Sequence, residues 1–213
     1  MHFISEELDQ FVCSNTERES DLLDELNRRT NTEILRPRMI SGHFQGRVLS
    51  MLSHMIKPKS ILEIGTYTGY SALCLAEGMA ESGELVTIDV NEELQYFSQS
   101  FFDRSKYKNQ IKSIVGNAME IIPEMEKKFD LVFIDADKFN YVNYYNAVID
   151  KMNPGGYIIA DNVLWSGKVV ENYDSLDPDT KVLVDYCNLT QKDERVQNVL
   201  FPIRDGLMIS RIK

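Results

Sequence analysis

Short apolar runs alternate with amphipathic segments through the middle of this 213-residue chain, and this alternation constrains its fold more than any other feature. The runs have four or five residues and are bounded by charged or turn residues: Ser60–Ile64, Glu84–Ile88, Ile111–Val115, Leu131–Ile134 and Tyr157–Ala160. Buried parallel strands have this pattern. The segments between them have helical spacing: Tyr70–Ala80, Glu92–Ser105, Ala118–Lys127 and Tyr141–Met152. We therefore expect an α/β fold with a doubly wound, Rossmann-like parallel sheet.

The two ends of the chain differ from this middle part. The first 58 residues have three stretches with helical spacing, the last of which Pro58 ends. Near the other end, Asp177 and Pro178 are a typical helix start. Two strand-like runs, Arg195–Phe201 and Gly206–Ile212, follow it with a connection too short for a parallel crossover, which predicts an antiparallel hairpin. We expect a single domain over residues 1–213, with a helical extension over about 1–58.

The composition excludes several classes of protein. With 33 acidic and 23 basic residues, the net charge is −10, which argues against nonspecific nucleic-acid binding and a polybasic membrane anchor. The sequence has no apolar run of transmembrane length, and its N-terminal stretch does not resemble a secretory signal. The three cysteines, Cys13, Cys74 and Cys187, are far apart, as in proteins of a reducing cytoplasm, where we expect this protein.

A glycine-containing turn follows the first predicted strand, at the position where open α/β sheets bind ligands. Gly65 and Gly69 have GxxxG spacing, not the GxGxxG spacing of dinucleotide-binding turns. Glu63 precedes them and would repel a phosphate, but it suits a cationic ligand such as the amino group and sulfonium of S-adenosylmethionine. Asp89, after the second strand, is placed to accept hydrogen bonds from ribose hydroxyls, and the turn Gly116–Ala118 could border an adenine ring. Taken singly, these residues could equally be turn glycines and a helix cap.

Polar side chains also follow the fourth and fifth predicted strands. Asp135 ends one strand, and Asp161 and Asn162 end the next, so parallel pairing should bring them to one edge of the sheet. Their hard oxygen donors suit Mg²⁺ best, and also Mn²⁺ or Ca²⁺, and leave positions open for a substrate with two adjacent oxygens. Lys138 is the candidate general base, because a lysine beside a bound cation loses its proton more readily. Alternatively, the aspartates cap helices and Lys138 pairs with Asp137 on the surface.

Three motifs resemble those of the cation-dependent O-methyltransferases, which include caffeoyl-CoA and catechol O-methyltransferases and bacterial relatives. The motifs are Ile61–Ser71, Phe133–Lys138 and Asp161–Gly167, and the resemblance runs from about Met39 to the C-terminus, including Pro202–Gly206. It implies a seven-stranded, mostly parallel sheet with a C-terminal antiparallel strand. It also implies a homodimer, which the apolar faces of the N-terminal helices favour independently.

The resemblance assigns roles to individual residues. It implies that Asp135, Asp161 and Asn162 bind the metal, that Lys138 is the catalytic base, and that Lys138, Asp137 and Trp165 face the acceptor. The residues implied for the methyl donor are Met39, Ser41, Glu63, Gly65, Tyr67, Ser71, Asp89, Gly116, Asn117, Ala118 and Asp135. Gln45 departs from the plant enzymes, which have a glutamate there. The aromatic residues Tyr141, Tyr144 and Tyr145, with Val148, are expected to pack in the core rather than stack on substrate.

These observations predict a methyltransferase that uses S-adenosylmethionine. The expected acceptor is a small molecule, a metal-chelated vicinal aromatic diol of the catechol, caffeoyl or flavonoid kind. One alternative is an NAD-dependent oxidoreductase on a similar sheet, against which the absent GxGxxG spacing counts. Another is a ligand-binding protein that keeps the fold without catalysis.

Overall fold

The computed structural model describes residues 4–213, so the first three residues of the predicted N-terminal extension lie outside the described part. Its helices are α1 (Glu6–Ser14), α2 (Asp21–Glu33), α3 (Gly42–Ile56), α4 (Tyr70–Glu77), α5 (Gln95–Phe102), α6 (Ala118–Glu124), α7 (Tyr141–Ile149) and α8 (Pro178–Lys192). Its strands are β1 (Ser60–Ile64), β2 (Glu84–Asp89), β3 (Ile111–Val115), β4 (Phe129–Ile134), β5 (Met152–Asp161), β6 (Val196–Phe201) and β7 (Leu207–Ile212). In the described residues, no helix is long and apolar enough to cross a membrane.

The seven strands form one sheet in the order β3-β2-β1-β4-β5-β7-β6. Strand β2 runs parallel to β1 and β3, and β4 runs parallel to β5. Strand β7 runs antiparallel to both β5 and β6, so the last strand is the one that reverses. This topology confirms the predicted doubly wound α/β sheet with its C-terminal antiparallel hairpin.

The helices end earlier than their sequence spacing predicts, and the neighbouring residues explain why. Helix α4 ends at Glu77, short of the predicted Ala80, because Gly78 follows it and lies against the backbone of α3. A Cβ atom on Gly78 would lie 2.1 Å from the amide nitrogen of His54. Helix α7 ends at Ile149, because Met152 already pairs with Phe129 in the sheet. Helical spacing alone does not show where such contacts begin.

The described residues divide into two compact units, 4–117 and 118–213. In the first unit, β1 is buried along its whole length, and α3 packs against α4. The single-domain assignment over the whole chain stays a prediction.

In the second unit, the core is rich in aromatic side chains. The rings of Tyr141 and Tyr145 both meet Tyr186 of α8 edge-on. The side chains of Tyr144 and Val148 are buried as well, which confirms the predicted packing role of this segment. The paired strands β4 and β5 and helix α7 together position the polar residues described below.

Candidate active site

The turn between β1 and α4 depends on left-handed backbone. Gly65 and Gly69 have φ values of 103° and 87°, a region that glycine adopts at little cost. Gly69 also lies against α5, because a Cβ atom there would be 2.6 Å from the ring of Phe102. The backbone can therefore turn sharply at the ends of the strands, as the sequence pattern predicts.

Asp89 is fixed at the end of β2 by two backbone amides. Its Oδ2 accepts a hydrogen bond from the Tyr67 amide at 2.7 Å, and its Oδ1 accepts one from the Asn91 amide at 2.9 Å. Each carboxylate oxygen has a second lone pair, so the group can still accept hydrogen bonds from a diol. Glu63 is fully buried on β1, where its Oε2 accepts a 2.5 Å hydrogen bond from the Thr87 hydroxyl.

The other residues predicted to bind the methyl donor are spread along both units. Ser41, directly before α3, and Ser71, in the first turn of α4, are nearly buried, whereas Met39 is 56% exposed. The phenol of Tyr67 donates to the carbonyl oxygens of Leu35 and Arg36, which connects the turn to the segment leading to Met39. Gly116, Asn117, Ala118 and Asp135 follow β3, begin α6 and follow β4.

The register of β4 and β5 explains how two carboxylates come together in the second unit. Ile134 pairs with Ala160 in the parallel ladder, so the next residues, Asp135 and Asp161, leave adjacent strands side by side. Asp161 is 2% exposed, and its Oδ1 accepts a hydrogen bond from the Asn162 amide at 2.7 Å. The backbone of Asn162 is left-handed, with φ of 59°, a conformation that asparagine tolerates better than most residues.

Lys138 connects these strand ends to α7. Its Nζ donates to Asp135 Oδ1 at 3.1 Å and to the Tyr141 hydroxyl at 2.6 Å. The Tyr141 hydroxyl in turn donates to the main-chain carbonyl of Asp161 at 2.9 Å. Burial is the main reason why the pKa of Tyr141 lies well above its ordinary value, so this phenol stays protonated. A continuous set of hydrogen bonds thus joins Asp135, Lys138, Tyr141 and Asp161.

The chemistry of Asp135, Asp161 and Asn162 fits a hard divalent cation, because their side chains offer two carboxylates and an amide oxygen. Across residues 4–213, no three His, Cys, Asp or Glu side chains are placed to hold a metal ion. A cation at this place would therefore depend on the Asn162 amide and on ligands from water or substrate.

Besides Lys138, two more residues are predicted to face the acceptor, Trp165 and Asp137, and they differ in their surroundings. The ring centroid of Trp165 lies 5.8 Å from Lys138 Nζ, so the structure brings these two together. Asp137 is exposed, and its carboxylate accepts hydrogen bonds from the Tyr144 hydroxyl at 2.5 Å and from Asn140 at 2.7 Å. Both oxygens of Asp137 therefore already bind its own helical segment.

Sequence reasoning did not assign two polar contacts of this region. The sequence pattern predicts only packing for Tyr141, although its spacing of three residues from Lys138 places both side chains on one face of a helical turn. The pattern includes Asp205 only as part of a motif, whereas the Asp205 carboxylate accepts a hydrogen bond from the Ser166 amide. The latter pair is 39 residues apart and has no local signal.

Comparisons with known proteins agree with this fold. The family model described as O-methyltransferase matches residues 13–213. A caffeoyl-CoA O-methyltransferase of Medicago sativa is 33% identical over 186 residues, which cover 81% of this chain and 74% of that protein. One of Arabidopsis thaliana is 33% identical and covered over 71% of its length.

Solved structures of methyltransferases are also similar to this chain. The SAH-bound methyltransferase PaMTH1 of Podospora anserina has a TM-score of 0.90 and 28% identity, covering 100% of this chain and 98% of that one. The O-methyltransferase of Bacillus cereus in complex with SAH has a TM-score of 0.89 and 28% identity, with 97% of each chain covered. The chain therefore belongs to the O-methyltransferase family of these caffeoyl-CoA O-methyltransferase relatives, which confirms the family predicted from its three motifs.

Proposed function

We propose that this protein transfers a methyl group from S-adenosylmethionine to one hydroxyl of a vicinal aromatic diol. The acceptor would chelate a divalent cation, Mg²⁺ in the first place, at Asp135, Asp161 and Asn162, with Lys138 as general base. The observation that carries the proposal is the hydrogen-bonded set of Asp135, Lys138, Tyr141 and Asp161 at two strand ends, in a chain of the O-methyltransferase family.

The SAH in related structures and the residues of the first unit support S-adenosylmethionine as the methyl donor. The structures from Podospora anserina and Bacillus cereus hold SAH, the product that remains after methyl transfer. In this chain, Asp89 would accept hydrogen bonds from the ribose hydroxyls, and the carboxylate of Glu63 suits the donor's cationic amino acid part. The two backbone amides on Asp89 hold its carboxylate in one orientation, so less freedom is lost on binding.

The residues of the second unit would carry out the proton transfer. A bound cation would lower the pKa of an acceptor hydroxyl coordinated to it. Lys138 Nζ would take the hydroxyl proton, and the acceptor oxygen would then form a bond to the methyl carbon as the carbon–sulfur bond breaks. The electron pair of that bond stays on sulfur, which leaves SAH and a methyl ether. Orienting both reactants supplies much of the remaining rate, with effective molarities of about 10⁵ M or more.

The acceptor class is proposed from Trp165 and from the names of the relatives. An indole 5.8 Å from Lys138 Nζ is a flat apolar surface beside the proposed base, which suits an aromatic ring. Several relatives are caffeoyl-CoA O-methyltransferases, which favours a caffeoyl-like diol. An NAD-dependent oxidoreductase does not agree with the family of this chain.

A homodimer is also proposed. Leu8 and Phe11 of α1 and Met51 and Met55 of α3 are 49–76% exposed, and the two helices contact each other. An apolar surface of this kind favours burial against a second copy. Light scattering after size exclusion should give twice the mass of one chain, and a monomer at micromolar concentration would contradict the dimer.

Methylation assays with labelled donor test the proposed reaction. Catechol, caffeoyl-CoA and a flavonoid diol are offered with Mg²⁺, Mn²⁺ or Ca²⁺, after dialysis against EDTA. We expect activity that needs the cation and that falls by about 10² or more in Lys138→Ala and Asp161→Ala. Lys192→Ala, which replaces an exposed lysine at the end of α8, is the matched control. Full activity in EDTA, or in both site variants, contradicts the mechanism, and tight SAH binding without turnover of any acceptor would favour the non-catalytic alternative.

A further inference from the structure

We propose that Asp205 is a positioning residue that holds the loop of residues 162–167, and with it Trp165 and Asn162, in the orientation needed at the site. The inference rests on the proposed function only for the roles of Trp165 and Asn162. The hydrogen bond between the Asp205 carboxylate and the amide of Ser166 is observed in the structure and does not depend on the proposed function.

The 162–167 loop has an unusual concentration of left-handed backbone. The φ values are 59° at Asn162, 44° at Trp165, 57° at Ser166 and 84° at Gly167. Residues with side chains seldom adopt this region, and a bulky residue such as tryptophan does so least readily. Such conformations persist only where surrounding contacts impose them, and they concentrate at functional sites. The loop therefore needs an external support.

The support comes from the connection between β6 and β7. The carbonyl of Asp205 accepts a hydrogen bond from the Leu164 amide at 2.9 Å, and the carbonyl of Gly206 accepts one from the Val163 amide at 3.2 Å. The carboxylate of Asp205 accepts a third, from the Ser166 amide at 2.5 Å. A Cβ atom on Gly206 would lie 2.5 Å from the side chain of Leu164, so the two segments are in close contact.

The connection between β6 and β7 is held in place because the residues at both of its ends pair in the sheet. Phe201 pairs with Leu207 in the β6–β7 ladder, and Leu207 also pairs with Asp161 of β5. Asp161 is the residue from which the 162–167 loop departs. Main-chain pairing thus fixes the β6–β7 connection to Asp161, where the loop begins. The part of the loop around Ser166 depends instead on the Asp205 side chain.

A substitution at position 205 can remove one of these three hydrogen bonds but not the other two. The two main-chain carbonyls remain whatever side chain stands at position 205, so Val163 and Leu164 stay held. Only the bond to Ser166 is lost, directly beside Trp165. A carboxylate makes a stronger hydrogen bond to an amide than a neutral acceptor does. The single contact of Asp205 with Ser166 can therefore stabilise the most strained part of the loop.

Trp165 makes the inference measurable, because it is the only tryptophan of the chain. Its fluorescence therefore reports on this loop alone, in the protein without metal, donor or acceptor. We expect Asp205→Ala to raise the acrylamide quenching constant of Trp165 by about twofold, because the indole gains motion and exposure when the Ser166 amide is released. Asp205→Asn keeps an oxygen acceptor and should quench nearly as the unsubstituted protein does.

Controls separate a loosened loop from a damaged fold. Asp179→Ala removes an exposed carboxylate of α8 and should leave quenching unchanged. Circular dichroism and the melting temperature check each variant. If Asp205→Ala does not fold, Asp205→Glu replaces it, since the added methylene moves the carboxylate away from the amide while keeping the charge, and increased quenching is again expected.

Kinetics connect the loop to the proposed reaction. In Asp205→Ala we expect the KM for the acceptor to rise by about threefold or more, with the Kd for SAH unchanged, because Trp165 and not the donor turn has moved. Asp205→Asn should restore most of the acceptor KM. If no acceptor turns over at all, the proposed function fails, but the quenching result still decides the role of Asp205. Unchanged quenching in Asp205→Ala and Asp205→Glu would overturn the inference.

Discussion

The side-chain nitrogen of Lys138 lies 2.6 Å from the hydroxyl oxygen of Tyr141, and the same hydroxyl donates to the main-chain carbonyl of Asp161. Tyr141 is fully buried, so its hydroxyl cannot turn to water for another partner. The phenol thus fixes the position of the proposed base relative to the strand end that carries a proposed metal ligand.

Replacing Tyr141 with phenylalanine should lower kcat by about tenfold, because Lys138 loses one of two hydrogen bonds that orient it. The Kd for SAH should stay the same, since the Tyr141 hydroxyl bonds Lys138 and the Asp161 carbonyl and none of the residues expected to bind the donor. Tyr145→Phe is the matched control: Tyr145 lies on the same helix and packs on the same Tyr186 ring, but its hydroxyl donates to Asp193. Equal losses of kcat in the two variants would show that Tyr141 acts through packing alone.

The strands of this fold could be predicted closely because a buried parallel strand requires apolar residues on both faces. Observed β1, which is buried throughout, has the bounds that its apolar run predicts, and so does the less buried edge strand β3. Strand β5 extends beyond its predicted run Tyr157–Ala160 at both ends, to Met152 and to Asp161, because Pro154, Gly155 and Gly156 interrupt the apolar pattern before Tyr157 and a polar residue follows Ala160. Helix ends were less predictable. The approach of Gly78 to α3 ends α4, and nothing in the helical spacing encodes that contact.

In the candidate site, too, features that follow from strand order could be predicted, whereas individual side-chain contacts could not. Asp135 and Asp161 could be paired from sequence because they follow strands whose parallel order is itself predictable. The contact of Lys138 with Tyr141 could not, since a tyrosine in an aromatic helix has the same pattern whether its hydroxyl is bonded or not. The pair Ser166 and Asp205 depends on the antiparallel return of the last strand and is visible only in three dimensions.

Asp89→Ala should weaken SAH binding by about tenfold or more, because it removes a charged acceptor and releases the amides of Tyr67 and Asn91. Isothermal titration calorimetry measures the Kd directly. Asp103→Ala is the control, since this exposed carboxylate of the same unit accepts a hydrogen bond from the Gln99 side-chain amide, one helical turn away, and lies at the end of α5 rather than at the donor turn. A Kd within about twofold of the unsubstituted value would contradict the proposed role of Asp89.

Glu77→Ala should lower the free energy of unfolding by about 3 kcal/mol, because it leaves the guanidinium of Arg47 without its counter-charge in a mostly buried place. The two side chains are only 12% and 19% exposed, and two nitrogens of Arg47 contact the carboxylate at 2.8 and 3.1 Å. Urea denaturation measures the loss. Glu33→Ala breaks the exposed pair with Arg29 and should leave stability nearly unchanged. Similar midpoints for the two variants would contradict this account of the Arg47–Glu77 pair.

Cys187 should react slowly with iodoacetamide at neutral pH and faster as the pH rises, because burial raises the pKa of its thiol to about 11. The thiolate is the reactive form, and at pH 8 its fraction is about 10⁻³, roughly 240-fold below that of an ordinary cysteine. The labelling rate of the Cys187 peptide, followed by mass spectrometry in Cys13→Ser, should therefore rise about tenfold per pH unit from pH 8 to 10. The same peptide labelled in urea is the control, with a rate that levels off above about pH 8.5. If the folded protein levels off there as well, the Cys187 thiol is not shielded by the fold.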